Sequence, residues 1–284
     1  MRHAAHGVLA IALALAGCAS LPQRSPAHER ADELNRTGLS HLRAGDAERA
    51  RVAFEQSVRI AQSIEDEAGI ARGWYNLSVA YQRLGRTADA DAALDAVLQD
   101  DRAYPRNQLV EIGLRKAVLA TSRDDVDGAS RALERVLPLC AGDCPSAAAI
   151  ANLQARIALR RARPDEAMAH LAVAHERYRR QPVEQANTLR LRAAALIALE
   201  RLAEARLAAE AALAIDKRQG AGEKIYQDLM LLARVAAGPS ERRGFLMRAG
   251  DIARALGDQE GLRRVESLLG QDASTPPLLP RGAP

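Results

Sequence analysis

The side chains that could do chemistry are few, and their spacing argues against most of it. His170 and His175 are five residues apart, about 140° around a helix, so they cannot share a metal as i,i+4 ligands could. Asp124, Asp125 and Asp127 precede Gly128 as in a calcium loop, but no glutamate follows at loop position 12, and helix capping accounts for them better. Gly220-x-Gly222 lacks the third glycine of a dinucleotide loop and follows a helical stretch. Neither a nucleophile elbow nor a P-loop occurs, and His41 falls at a packing position of the first unit, where a core or interface histidine is expected rather than a general base. Cys140 and Cys144 enclose Ala141-Gly142-Asp143 and are followed by Pro145, a loop context in which a local disulfide can close. Read as half a metal site, the pair lacks a second ligand pair at suitable spacing, so a structural role is expected. So small a loop contributes less than the roughly 3 kcal/mol of a 15-residue closure, and its loss should be tolerated. No catalytic residue, metal or cofactor is expected.

What positions these residues is a helical framework. Of 284 residues 48% are hydrophobic but only 3% aromatic, and 60 are Ala. Ala, Leu, Arg and Glu favour helices, and an all-β fold would need far more Val, Ile, Tyr and Phe. Forty basic against 36 acidic side chains leave +4, a nearly balanced surface rather than a nucleic-acid-binding surplus. Lys116, Lys217 and Lys224 are the lysines, so the other 37 basic residues are Arg.

A repeat organises the chain. A small anchor recurs at Ala50, Ala90, Ala129, Ala167 and Ala205, with Phe245 as a degenerate sixth, at spacings of 40, 39, 38, 38 and 40. Four residues after each come Phe54, Leu94, Leu133, Leu171, Ala209 and Ala249, and seven after come Ser57, Val97, Val136, Ala174, Ala212 and Ile252. These offsets share one helix face. Twelve residues before each anchor stand Gly38, Ser78, Ala117, Ala155, Ala193 and Ala233, all small, on a preceding helix whose backbone can then come close. Each unit is therefore expected to be a helical hairpin. The prolines agree: Pro105, Pro145 and Pro182 fall between units, Pro164 and Pro239 in turns within hairpins, and Pro138 near a helix end, where the roughly 3 kcal/mol cost of an interior proline is avoided. Gly45 and Gly85 mark the same turn in the first two units.

The N-terminus predicts export. Met1-Arg2-His3 precedes an apolar run from Gly7 to Ala16, shorter than the about 20 residues that a membrane-spanning helix needs, and so reads as the core of a signal peptide. Leu15-Ala16-Gly17-Cys18 resembles the lipobox of bacterial lipoproteins. The resemblance implies removal of residues 1–17 and lipidation of Cys18, palmitate included. Ala19, in place of the Asp associated with inner-membrane retention, favours the outer membrane, facing the periplasm. Each buried acyl methylene is worth about 0.8 kcal/mol. Residues 18–27 read as the lipidated cysteine and a flexible tether, with Pro22, Ser20, Ser25 and Pro26. The tail 271–284 carries four prolines and no periodicity and is expected to be disordered.

Within the second unit, Trp74-x-x-Leu77-Ser78-x-x-Tyr81, followed by Ala90, Leu94 and Val97, resembles the tetratricopeptide repeat. The period of 38 to 40 exceeds the family's about 34 by one helical turn, and in the third unit Leu109-x-x-Ile112-Gly113 imitates the motif four residues early. The expected fold is all-α, a right-handed α-solenoid of about six antiparallel hairpins over residues 28–270, closed by a capping helix from Gln259 to Leu269. The resemblance implies that first helices line a concave groove. Carried onto this sequence, the family's contact positions fall on Arg72, Tyr75, Asn76, Val79, Gln82 and Arg83 in the second unit. They fall on Asn152, Arg156, Leu159 and Arg160 in the fourth, and on Asn187, Arg190 and Ile197 in the fifth. Trp74 and Tyr81 are expected in the hairpin core. Arg forks onto carboxylates and Asn can satisfy a backbone donor and acceptor at once, so the groove should prefer acidic or C-terminal peptide segments. The alternative for these arginines is a solvated helix face. Two function classes follow. One is a lipid-anchored periplasmic adaptor that holds protein partners in envelope assembly, such as pilus–secretin, barrel-insertion or cell-wall machinery. The other is a carrier or sensor for a small ligand or cell-wall fragment, which the scarcity of aromatic side chains disfavours.

Overall fold

The structure is a computed structural model that describes residues 24–142 and 144–274. The described residues form helices and no strand. The helices pair in chain order: α1 (Pro26–Arg43) with α2 (Ala47–Ser63), α3 (Glu67–Arg83) with α4 (Thr87–Leu98), and α5 (Arg106–Ser122) with α6 (Val126–Val136). Then come α7 (Ala147–Arg160) with α8 (Pro164–Arg177), α9 (Pro182–Ala198) with α10 (Leu202–Gln219), and α11 (Gly222–Arg234) with α12 (Pro239–Leu256). A last helix, α13 (Gln259–Ser274), packs on α12. This is the all-α solenoid of six hairpins with a closing helix that the repeat predicts.

Two boundaries differ from expectation. α1 starts at Pro26, inside the stretch read as tether, because Ser25 caps it by accepting from the His28 N–H (3.4 Å) and Pro26 suits a first helical turn. α13 runs on to Ser274, past the boundary drawn at residue 270. The signal peptide, Cys18, the rest of the tether up to residue 23, and residues 275–284 of the tail lie outside the described residues.

The anchors are where the hairpins close. Ala50, Ala90, Ala129, Ala167 and Ala205 have no exposed surface, and Phe54, Leu94, Leu133 and Leu171 beside them are buried. Truncating such a leucine to alanine costs about 2–5 kcal/mol. The small position on the first helix is as tight as its composition predicts: a Cβ on Gly38 would stand 2.4 Å from the Phe54 ring. The sixth unit corrects the sequence reading. Its buried anchor is Leu246 rather than Phe245, and Gly250 and Ala253 take the positions that follow. The cause is the turn Val235–Gly238, one residue longer than the three-residue turns of the other hairpins. Trp74 and Tyr81 pack partly buried against the core, and the Tyr81 hydroxyl donates to Glu55 Oε1 (3.1 Å). Cys140 and Cys144 form a disulfide with Cα atoms 5.2 Å apart, in the link between α6 and α7.

The first five hairpin turns close the same way. The N–H of Asp46, Arg86, Asp125, Arg163 and Arg201 returns to the carbonyl five residues back, at 2.8 to 2.9 Å, which puts the middle turn residue in the left-handed region. Gly45 (φ +81°) and Gly85 (φ +72°) fill it without strain, but Asp124 (+62°), Ala162 (+55°) and Glu200 (+59°) do so with a Cβ.

Curvature follows from which helices meet. Each of α1, α3, α5, α7 and α9 touches the next first helix along the chain, whereas successive second helices make no comparable contact. The first helices therefore form the inner, concave layer, and their remaining face looks into it.

Replacing Ala162 by Gly removes left-handed strain and is expected to raise stability by about 0.5–1 kcal/mol, while Gly85→Ala should lower it by about 1 kcal/mol. Urea unfolding followed by circular dichroism reads both. A lowered midpoint for Ala162→Gly would contradict this account of the turns.

Candidate functional site

Along the inner layer, a polar residue stands 14 or 15 positions before each of the first five anchors: Asn35, Asn76, Arg115, Asn152 and Arg190. Four of them, Asn35, Asn76, Asn152 and Arg190, are buried. A buried polar group must find a partner, and here each has at least one partner on the neighbouring hairpin. Asn76 Nδ2 donates to Asn35 Oδ1 at 2.7 Å, and Thr188 Oγ1 to Asn152 Oδ1 at 3.0 Å. Arg115 donates to Ser78 Oγ (3.3 Å) and to Gln82 Oε1. Arg190 Nε donates to Asp228 Oδ1 (2.8 Å), and its Nη2 reaches Asp216.

The residues expected to contact a partner thus divide. Asn76, Gln82, Asn152 and Arg190 tie one hairpin to the next. Arg72 does the same through Asp32 Oδ1 (2.8 Å), although its side chain stays 38% exposed. Arg160 pairs with Asp124, and Arg161 with Asp127 (2.9 Å), so two acids of the run before Gly128 clasp the fourth hairpin while Asp125 caps α6. Tyr75, Val79, Leu159, Asn187 and Ile197 are half-buried, and Arg83 is exposed.

Arg156 is different. It is half-buried on α7, one turn beyond Asn152, and pairs with no carboxylate among the described residues. Burial, followed by the charges of Arg160 and Arg190, holds its guanidinium below the usual arginine range. On α11, Lys224 is lowered by burial and then by Arg190 and Arg156, with Glu223 and Asp216 acting the other way. Arg156, Arg190 and Lys224, on three successive first helices, therefore crowd positive charge into one stretch of the groove. An anion entering there relieves that repulsion. Beneath it, Asp228 has no exposed surface. Burial pushes its carboxyl up to about 7, with Arg190 opposing and the Asp216 carboxylate adding to the rise.

Sequence reasoning missed Lys224, Arg115, Asp216 and Asp228. The available signal was the recurrence of a polar residue two or three residues before the small position of each of the first five first helices, which marks a buried ladder rather than a ligand-facing row.

Residues 71–103 match the family model of the tetratricopeptide repeat, over the unit that carries Trp74, Leu77 and Tyr81. No curated protein matches the sequence. Among solved structures, the apo form of the quorum sensor NprR from B. thuringiensis is similar at a TM-score of 0.68 and 18% identity, over 87% of this chain and 72% of that one. The Pseudomonas aeruginosa pilF structure gives 0.58 and 17%, over 86% of this chain and 100% of that one. A chain of the APC/C hetero-tetramer Cut9–Hcn1 gives 0.63 and 14%, over 84% of this chain but 43% of that one, so this chain spans less than half its length. At these identities the likeness is one of fold, a tetratricopeptide-repeat-like solenoid.

The Asp228 carboxyl rises from an ordinary value of 3.8 to about 7 on folding. The folded chain then holds more protons than the unfolded one between those values, so stability present at acid pH is lost as pH climbs through about 7. Urea midpoints at pH 5, 6.5 and 8 should fall across the series in the native chain and fall less in Asp228→Asn. Identical profiles for the two would refute the assignment.

Proposed function

We propose that the chain is a non-catalytic scaffold whose inner groove engages an acidic segment of a protein partner. The observation that carries this is Arg156, half-buried and facing Arg160, Arg190 and Lys224 with no carboxylate of its own among the described residues. A positive site that the fold leaves uncompensated is suited to an acidic side chain or a terminal carboxylate, which a guanidinium can grip with two parallel bonds. The groove is narrower in scope than the family positions suggest, since Asn76, Asn152 and Arg190 serve the ladder. Its centre is the fourth to sixth hairpins.

The scaffold reading extends to the envelope. The lipobox-like Leu15-Ala16-Gly17-Cys18 supports a lipid anchor at Cys18 and a station at the outer membrane, facing the periplasm, with partners drawn from envelope assembly. A pilus–secretin role is compatible with the likeness to pilF, all of whose length this chain matches, though that likeness speaks to fold. The carrier or sensor reading gains support from one feature, an apolar cavity near α13.

A photo-crosslinking residue in place of Asn187 tests the reading in intact cells. The native chain, fractionating with the outer membrane, should capture a protein through an Asp- or Glu-rich segment. Arg156→Ala should reduce capture about tenfold, the value of a charge-assisted pair, and Cys18→Ala should release the chain from the membrane fraction. Undiminished capture by Arg156→Ala would count against the groove, and an unchanged fractionation of Cys18→Ala against the anchor.

A further inference from the structure

We propose that the C-terminal end of the solenoid holds a binding site for an amphipathic anion, an aliphatic chain with an acidic head. The site adjoins the groove around Arg156, with Arg190 on the border between them, but it is built on residues of α11, α12 and α13 that the groove does not use, and it does not depend on what that groove binds. A cavity of about 580 Å³ opens where the closing helix meets the last hairpins, within the range of small-ligand sites. α13 is tied to α11 near its start, where the Tyr226 hydroxyl donates to the Gly261 carbonyl (3.3 Å), and it otherwise packs on α12. The cavity lies between these helices and α9.

Its wall is aliphatic. Leu191 on α9, Met230 and Leu231 on α11 and Leu268 on α13 line it and are only partly buried, with Leu246 of α12 as a fully buried floor. Large aliphatic side chains left half-covered around a concavity favour an apolar occupant. Among the described residues Tyr226 is the one aromatic side chain of the lining, so stacking against a planar ring or a sugar has little to work with.

The rim is cationic. Among the described residues four arginines and no acidic residue line the cavity, and of the four Arg190 is held by Asp228 and Asp216 and Arg242 has a partner of its own. Elsewhere this protein pairs its arginines freely with Asp and Glu, within helices and between hairpins. Arg234 on α11 and Arg264 on α13 pair with no carboxylate among the described residues. Aliphatic walls under two unmatched guanidinium groups complement a chain that is apolar along its length and negative at one end. Carboxylate and phosphate heads share this chemistry.

Isothermal titration of the purified chain at pH 7, with each amphiphile below its micelle-forming concentration, tests the proposal. Dodecanoate or dodecyl phosphate should bind saturably at one site, and which of them binds more tightly identifies the head. Dodecyltrimethylammonium, of equal length and opposite charge, and acetate, which lacks the tail, should each bind at least about tenfold more weakly. Arg234 and Arg264 are exposed, so the double variant Arg234→Ala/Arg264→Ala should keep its circular dichroism and lose about tenfold in affinity for the acid. Met230→Trp, which fills the cavity, should block binding while leaving Arg156-dependent capture of a protein partner intact. No saturable binding of either acid, equal binding of the cationic amphiphile, or an unchanged affinity in the folded double variant would each overturn the proposal.

Discussion

Everything in this molecule depends on how closely two helices can approach. At each hairpin crossing the first helix offers a residue no larger than serine or alanine, and the second an anchor that is completely buried. Ser78 and Ala90, Ala117 and Ala129, Ala155 and Ala167, and Ala193 and Ala205 all have essentially no exposed surface. Because dispersion contacts fall away within an ångström of the optimum separation, the crossing stabilises only if nothing larger intervenes. An alanine-rich, aromatic-poor composition is thus the direct expression of close-packed helix pairs, and stacking those pairs yields a solenoid rather than a single globular core.

The close packing forces a second arrangement. First helices that touch along the inner layer bring polar side chains of successive hairpins within hydrogen-bonding distance, and burial obliges those groups to pair. The Asn35–Asn76 and Asn152–Thr188 bonds and the Arg190 link to Asp228 and Asp216 form a ladder that runs beneath the groove. Positive charge that the ladder leaves unmatched accumulates at Arg156 and Lys224. The groove's electrostatics are a by-product of how the repeats are joined, which is why its charge is concentrated in the later hairpins and not spread along the face.

The hairpins, their order and nearly all their phase were legible in the sequence because small residues at a fixed rhythm report backbone proximity directly. The early imitation of the motif at Ile112-Gly113 did not mislead: Ala117, set by the anchor rhythm, is fully buried. The sixth unit was misread because a single added turn residue leaves no apolar signature, so Phe245 stood in for Leu246. The inner face was less legible. An arginine that grips a neighbouring hairpin and one that awaits a ligand occupy equivalent repeat positions, and only the identity of residues some 38 positions away, such as Asp228 opposite Arg190, separates them. The cavity beside α13 was invisible for the same reason, being assembled from four helices whose lining residues share no periodicity.

Hydrogen–deuterium exchange across the native chain and Ala155→Leu is the most direct measurement of the central constraint. A leucine at that crossing has no room against Ala167 and should force α7 and α8 apart, so amide protection should collapse in both helices together and weaken toward the neighbouring hairpins. Protection in α7 and α8 that matches the native chain would mean that the two helices do not depend on a small residue at their crossing, and the account of the fold, the ladder and the groove would fail with it.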